Sequence, residues 1–252
     1  MRLALLAIPA VRSALALEIG RDIEYHASMP STQERARALA AADSAPIVVV
    51  ADEQTAGQGT RGRTWLAPAG SSLLASWLFR PAPAEPGLFA LLAGVAVARA
   101  LARLGLTEAS LKWPNDVEAG HRKVAGALAH ATTDGEGGSL VLGIGVNVHQ
   151  RLEDFPSDLR ATATSLALLG HDADRLSVLV ALSRELDRVA APAEREAALG
   201  EWRRRATLIG REVEVTRLGQ PPVRGLVRDI ADDGALLVGP ERVVAGDVRV
   251  VR

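Results

Sequence analysis

The segment GQGTRGRTW (57–65) constrains the fold most, because it matches two nucleotide-binding patterns that both require a helix to follow. Its glycines fit the dinucleotide pattern G-x-G-x-x-G, and one arginine in place of lysine separates it from the P-loop pattern. In both folds the helix N-terminus after the glycines binds the phosphate. Pro68 and Gly70 would disrupt a helix at this place. The sequence therefore favours neither a Rossmann nor a P-loop fold.

The order of the predicted elements indicates an α+β class. Apolar periodicity, capping residues and turn residues predict helices at 31–41, 87–105 and 174–202, and strands at 47–51, at 71–81 and repeatedly within 111–148. Because strands and helices do not alternate, we expect a mixed, largely antiparallel sheet with helices packed on one side. This layout fits better than a doubly wound sheet.

The last 45 or so residues differ in sequence pattern from the rest of the chain, because they predict short strands separated by the turns GQPP, ADDG and GPE. This spacing predicts a small β-barrel-like module. We therefore expect three parts: an N-terminal lead at 1–21, a main domain at 22–205, and the small β domain at 206–252. The lead is either a short amphipathic helix or a poorly ordered segment.

Composition narrows the class of protein. The formal net charge of -1 supplies no basic bias for binding a DNA duplex, and a chain without cysteine fits a reducing cytoplasm. Pro9 and Arg12 interrupt the apolar N-terminal run, which argues against a signal peptide. No run reaches the roughly 18 apolar residues of a membrane span. We expect a soluble, cytoplasmic protein.

Three segments carry candidate chemistry. The first is the segment GQGTRGRTW (57–65), whose glycine amides together with Arg61 and Arg63 can bind an anion. The alternative for this segment is a solvated glycine-arginine loop. In the second, LKWPNDV (111–117), a strand followed by a turn carries Lys112, Asn115 and Asp116, and the alternative is an ordinary edge-strand lysine.

The third segment is GIGVNV (143–148). Glycines inside an apolar strand often mark the close approach of a ligand or of another backbone, and Asn147 needs a polar partner near the core. A bulged core strand is the simpler alternative for this segment alone.

Together, in this order and spacing, the three segments resemble the biotin protein ligases. The family's adenylate loop and the strand after it look like ADEQTAGQGTRGRTWLAPAGSSLLAS. Its KWPND element with the R-K-x-A-G hairpin looks like LKWPNDVEAGHRKVAGALAH. Its G-I-G-x-N strand looks like VLGIGVNV. The tail GLVRDIADDGALLV…AGDVRVVR and the STQ at 31–33 also match, so the resemblance runs from about residue 22 to the end.

The resemblance implies a class II synthetase-like catalytic domain at 22–205, an SH3-like β-barrel at 206–252 and a two-step ligase reaction. Biotin and ATP, with Mg²⁺ expected, give biotinoyl-5'-AMP and pyrophosphate. A lysine of a biotin carboxyl carrier protein, or of the carrier domain of a biotin-dependent carboxylase, then attacks the mixed anhydride. Only about 20 residues precede the match, too few for a DNA-binding domain, so we expect no repressor activity. A homodimer remains possible, and no membrane partner is expected.

The family's motifs also imply roles for individual residues. The catalytic candidates are Lys112, Arg61 and Arg63. The biotin-binding candidates are Ser31, Thr32, Gln33, Gln54, Gln58, Gly59, Thr60 and Lys112. The ATP or adenylate candidates are Gly57, Gly59, Arg61, Gly62, Arg63, Trp65, Asn115 and Asn147. The metal ligands are not identified by the sequence.

Departures from the family pattern leave alternatives open. Gln58 and Thr60 replace two arginines that the family's loop commonly carries, and Gln33 replaces an asparagine. A lipoate-type acyl ligase and a non-catalytic biotin sensor are the competing hypotheses. ATP-dependent transfer of biotin to a carrier distinguishes them from a biotin ligase.

Overall fold

A computed structural model describes residues 3–132 and 137–251. Its helices are α1 (Pro9–Ile19), α2 (Thr32–Ala41), α3 (Pro86–Arg103), α4 (Arg175–Ala190) and α5 (Arg195–Arg205). The strands of the first part are β1 (Asp22–His26), β2 (Ile47–Ala51), β3 (Ser72–Phe79), β4 (Ser110–Lys112), β5 (Asp116–Ala119), β6 (Arg122–Thr132) and β7 (Ser139–Asn147). Those of the C-terminal part are β8 (Glu212–Arg217), β9 (Gln220–Ile230), β10 (Leu236–Val238), β11 (Glu241–Val243) and β12 (Asp247–Val250).

The first seven strands form one sheet in the order β1-β2-β3-β7-β6-β5-β4. Only the β1–β2 pairing is parallel among the described strands, and every other neighbour pair in this sheet is antiparallel. The predicted α+β class with a largely antiparallel sheet is confirmed. The long pairing of β3, β7 and β6 in its centre places the glycines of 143–147 in the middle of the sheet.

The helices cover both faces of the sheet. Apolar α3 and α4 pack with Trp77, which is fully buried, on the face that holds the main core. Helix α2 packs on the opposite face against Val49 and Leu78. The sequence predicted helices on one side only, because its periodicity shows that a helix has an apolar stripe but not which face of the sheet that stripe meets.

Helix α3 is long and apolar enough to cross a membrane by length and composition, which the sequence analysis did not anticipate. In the structure, 67% of its 18-residue apolar window is buried inside the protein. Burial of this kind is typical of the core helix of a globular domain.

The N-terminal lead is packed against the main domain. A 3-10 turn at Leu3–Ala7 precedes α1, and Leu3 and Leu6 are fully buried in the main core. Of the two alternatives raised by the sequence, the structure therefore shows a helical, packed segment.

The C-terminal strands form a second, five-stranded sheet in the order β11-β10-β9-β8-β12 with antiparallel neighbours. This second sheet confirms the small C-terminal β domain that the short strands and turns predicted. Its edge strand β12 faces the glycine-rich loop of the main domain through Asp247.

A polar cluster centred on Asp52 fastens both ends of the loop between β2 and β3. The Asp52 carboxylate accepts hydrogen bonds from Arg175 Nη1 and Tyr25 Oη, both at 2.7 Å, and its carbonyl accepts one from the Gly70 amide at 2.9 Å. Burial and the hydrogen bond to Asp52 raise the pKa of Tyr25 to about 12. The loop is thus anchored at its base by a largely buried ion pair.

Removing this anchor should destabilise the fold. We expect Arg175→Ala to lower the free energy of unfolding by about 3 kcal/mol, because it leaves a largely buried carboxylate without its cation. The matched control is Arg184→Ala on the same helix, whose exposed pair with Glu18 should contribute less than about 1 kcal/mol. Urea denaturation measures both, and equal losses would contradict the anchoring role of Arg175.

Candidate active site

A cavity of about 360 Å³ opens on one face of the main sheet, between the glycine-rich loop, the β4–β5 hairpin and strands β3, β6 and β7. Twelve of the residues predicted from the sequence line it: Ser31, Thr32, Gln33, Gln54, Gln58, Gly59, Thr60, Arg63, Trp65, Lys112, Asn115 and Asn147. Gly57, Arg61 and Gly62 were predicted with them but do not line it. The fold thus gathers segments that lie far apart in the sequence.

The closed end of the cavity is neutral and polar. Ser31 caps α2, and the amide and hydroxyl of Thr32 donate to Gln54 Oε1 at 2.7 and 3.0 Å. Ser76 Oγ donates to Gln33 Oε1 at 3.2 Å, while Gln33 Nε2 donates to the Val141 carbonyl at 3.2 Å. These bonds hold two side-chain amides and two hydroxyls in set orientations, so this end can offer both donors and acceptors to a ligand.

The glycines of strand β7 make room for two of these side chains. A Cβ at position 143 would lie 2.4 Å from Gln33 Oε1, and a Cβ at 145 would lie 2.5 Å from the Trp65 ring. Gly126 is the register partner of Gly145 on β6, and its Cβ would also meet Trp65, at 3.2 Å. The indole therefore lies flat on a floor of two paired glycines. The close approach suggested by the sequence is that of the protein's own side chains.

The β4–β5 hairpin carries the charged end of the cavity. Lys112 Nζ lies 3.5 Å from Glu118 Oε1, and Lys123 Nζ on β6 lies 2.5 Å from Asp116 Oδ1. In the strand register, Lys112 is opposite Asp116 and Lys123 is opposite Glu118. Each lysine nevertheless forms its ion pair with the carboxylate that lies opposite the other lysine. Two ammonium and two carboxylate groups are thus interleaved on three adjacent strands.

Among the hydrogen-bonding and charged side chains described above, Ser76, Glu118 and Lys123 were not identified by the sequence analysis. Glu118 follows Asp116 by two positions, which in a strand places both side chains on one face. That spacing, with a lysine near the start of β6, was the available signal for the interleaved charges.

Two asparagines predicted for the nucleotide site have structural partners. Asn115 Nδ2 donates to the Ala127 carbonyl at 2.6 Å and so ties the KWPND turn to β6. Asn147 Nδ2 donates to the Thr164 carbonyl, and its Oδ1 accepts from Gln150 Nε2, both at 2.9 Å. Both side chains line the cavity, yet their amides already bridge neighbouring segments.

The tip of the glycine-rich loop is bound to the C-terminal sheet. Arg61 Nη1 and Arg63 Nη2 donate to the two carboxylate oxygens of Asp247, at 2.6 and 2.9 Å. The loop also closes on itself, since the Gly59 amide donates to the Arg63 carbonyl at 2.7 Å. The two arginines predicted to be catalytic therefore point toward the small β domain in this structure, and Gln58 Nε2 donates to Glu34 at 2.7 Å.

Within the described ranges, 3–132 and 137–251, no group of three or more His, Asp or Glu side chains is arranged to hold a metal ion. The cavity carboxylates Asp116 and Glu118 are each engaged by a lysine.

The chain matches two protein families. Residues 25–147 match the Biotin/lipoate A/B protein ligase family, and residues 208–250 match the Biotin protein ligase C terminal domain. The first match contains the cavity's loop, hairpin and glycine strand, and the second contains Asp247.

Individual relatives agree with these matches. The chain is 39% identical over 226 residues to the biotin--[acetyl-CoA-carboxylase] ligase of Mycobacterium tuberculosis, covering 84% of this chain and 82% of that protein. It is 37% identical over 177 residues to the bifunctional ligase/repressor of Bacillus subtilis, covering 67% of this chain. The chain spans only 54% of the length of that second relative.

The fold is also similar to a solved structure. The biotin protein ligase from Aquifex aeolicus in complex with biotin and ATP superposes with a TM-score of 0.72 at 30% identity, covering 91% of this chain and 98% of that one.

The packing of Trp65 on Gly145 and Gly126 can be tested by adding a single methyl group to one of the glycines. We expect Gly145→Ala to displace Trp65 and to cost about 1–3 kcal/mol through overpacking, because its Cβ cannot share the space of the ring. Gly87→Ala, at an exposed helical position with nothing within 4 Å, is the control. The indole N–H resonance of Trp65 should shift only in the first variant, and an unshifted resonance would contradict the packing described.

Proposed function

Because this chain belongs to the biotin protein ligase family, we propose that it activates biotin with ATP and transfers the biotinoyl group to a carrier lysine. The first product is biotinoyl-5'-AMP with release of pyrophosphate. The acceptor is a biotin carboxyl carrier protein or the carrier domain of a biotin-dependent carboxylase.

One observation carries this proposal most directly: a single cavity joins a neutral, amide-lined end to a charged end. A ureido ring has both donors and acceptors, which suits the end formed by Thr32, Gln33, Gln54 and Ser76. A carboxylate and a triphosphate repel each other, so the reacting end needs fixed cations. Lys112 and Lys123 supply them.

In the first step, a biotin carboxylate oxygen attacks the α-phosphorus of ATP and pyrophosphate leaves. We assign Lys112 to the carboxylate and α-phosphate oxygens, where its ammonium reduces repulsion between the reactants and stabilises charge in the transition state. Its place on a hairpin tied to β6 by Asn115 supports this role, because a held cation needs little reorganisation. We place Ser31, Gln58, Gly59 and Thr60 around the biotin.

In the second step, the carrier's lysine amine attacks the acyl carbon and AMP leaves. The polar end keeps the biotin ring in place while the anhydride faces the open side of the cavity. We assign Trp65 to packing against the ligand above the glycine floor, and Asn147 to shaping the nucleotide site through its bonds to Thr164 and Gln150.

The loop arginines need a rearrangement to take part. We propose that Arg61 and Arg63 exchange the Asp247 carboxylate for phosphate oxygens when the nucleotide binds, while the peptide groups of Gly57 and Gly62 allow the loop to close. Their present partner is an exposed carboxylate, and exposed ion pairs contribute little to stability.

The remaining assignments are part of the same proposal. Mg²⁺ would be held through the phosphate oxygens and water, since both cavity carboxylates are paired with lysines.

We propose a boundary between a catalytic domain at 22–205 and the small β domain at 206–252, a cytoplasmic location, no DNA or membrane partner, and a possible homodimer. A sequence-specific gel shift by the purified protein would overturn the absence of DNA binding.

The deciding assay is ATP-dependent transfer of biotin to a purified carrier domain. Pyrophosphate release that requires biotin, followed by labelling of one carrier lysine, supports the proposal. Biotin binding without pyrophosphate release would indicate a sensor, and transfer of lipoate in place of biotin would indicate a lipoate-type ligase.

The role of Lys112 is tested by two variants. Lys112→Ala should reduce the rate of biotin-dependent pyrophosphate release by about 10²–10³-fold with a nearly unchanged melting temperature, because it removes a cation from the transition state. Glu118→Gln breaks the same ion pair but keeps the amine, and it should retain most of the activity. Equal losses in the two variants would show that the ion pair, and not the amine, is what matters.

A further inference from the structure

Four side-chain oxygens form a continuous chain at the closed end of the cavity. Gln54 Oε1 lies 3.0 Å from Thr32 Oγ1, which lies 2.9 Å from Ser76 Oγ. Ser76 Oγ in turn lies 3.2 Å from Gln33 Oε1. All four residues line the cavity, and the last three of them are each at most 5% exposed. The oxygens therefore depend on one another, or on a ligand, for their hydrogen bonds.

Both ends of this oxygen chain are amide oxygens that can only accept. Gln33 Nε2 donates to the carbonyls of Val141 and Leu128, at 3.2 and 3.3 Å, so turning this amide over would place its oxygen against two other oxygens. Gln54 Oε1 is held by the backbone amide of Thr32, which donates to it at 2.7 Å. Neither amide can therefore be reversed to supply a proton to the hydroxyls.

The two hydroxyls between these ends supply one proton too few. The chain has three oxygen–oxygen contacts, and each hydrogen bond needs one proton, but Thr32 and Ser76 carry a single hydroxyl proton each. When each hydroxyl donates to its neighbouring amide oxygen, the two hydroxyl oxygens face each other at 2.9 Å through lone pairs. Within residues 3–132 and 137–251, no further group donates to either hydroxyl oxygen.

A ligand that closes over this pair of hydroxyl oxygens has to bring the missing proton. A ring N–H directed between Thr32 Oγ1 and Ser76 Oγ can donate to both. A ring oxygen, sulfur or methylene at the same place leaves buried acceptors without a donor, which is costly. A site built to bind a substrate N–H rejects an analogue that lacks it for this reason.

We propose that Gln33 and Ser76 make the closed end specific for a ring that carries an N–H donor. This inference rests on the proposed function, and it names the group of the ureido ring that this end recognises. Gln33 is a positioning residue, because its oxygen takes the proton of Ser76 and so withholds it from Thr32. That oxygen lies in the space left by Gly143, since a Cβ there would be 2.4 Å from it.

The probes are biotin and its two cyclic carbamate analogues, in each of which one ureido N–H is replaced by a ring oxygen of similar size. Their dissociation constants are measured by isothermal titration calorimetry on the full chain without ATP, so the result does not depend on adenylation. The weaker-binding analogue should bind wild type about 10–100-fold less tightly than biotin does, as expected for one buried acceptor left without a donor.

Two variants restore the balance of protons to contacts. Gln33→Met removes the terminal acceptor at a similar side-chain length and leaves two protons for two contacts. Ser76→Ala leaves one proton for one contact. In both, the preference for biotin over that analogue should fall to less than about 3-fold, because the unfilled acceptor pair is gone. The matched control is Ser72→Ala on the same strand, equally buried but bonded to Gln150, which should keep the wild-type preference.

Equal binding of biotin and both analogues by wild type would overturn the inference, as would a folded Gln33→Met variant that keeps the wild-type preference. A folded Gln33→Met variant that binds none of the three ligands would show that Gln33 contacts the ligand itself, which also overturns the positioning role. A thermal melt verifies folding, and Ser76→Ala decides the matter if Gln33→Met does not fold.

Carrier labelling by wild type from biotin and ATP is measured separately. A chain that labels the carrier but binds the carbamates as tightly as biotin refutes the specificity role alone. A chain that cannot label the carrier refutes the proposed function.

Discussion

The site depends on the absence of side chains at two positions of one central strand. Gly143 and Gly145 on β7 leave the space into which Gln33 and Trp65 fit, at distances where any Cβ would collide with them. Gln33 comes from a helix on one side of the cavity and Trp65 from the loop on the other. Both side chains therefore pack against the same strand, and β7 lies in the centre of the sheet, hydrogen-bonded to a strand on each side.

The charged end shows how a site for anions can be prepared before an anion arrives. Four charges alternate across β4, β5 and β6, and each lysine is paired diagonally with a carboxylate. The cations are thus compensated in the free protein and are carried by hydrogen-bonded strands. Fixed cations of this kind stabilise a transition state without a large reorganisation at the moment of reaction.

The glycine-rich loop is held differently at its two ends. Its base is fixed by the largely buried Asp52–Arg175 pair, whereas its tip is bound through the exposed carboxylate of Asp247. Buried pairs are costly to break, and exposed ones contribute at most about 1 kcal/mol. The tip can therefore exchange partners while the base stays in place, which gives the small β domain a direct contact with the part of the loop nearest the site.

Local patterns in the sequence determined the element types, the α+β class, the small β domain and three segments of the site, since periodicity, caps and turn residues act over a few neighbours. Pro68 and Gly70 were enough to argue against a helix after the glycines. Only the tertiary structure decided which face of the sheet α2 covers and which side chain packs against each glycine. It also decided that Asp247 binds Arg61, from which it is separated by 186 positions in the sequence. A repeat along the chain specifies which side of an element is apolar, but the partner of a buried amide or an ammonium group is set by whichever distant segment the fold brings against it.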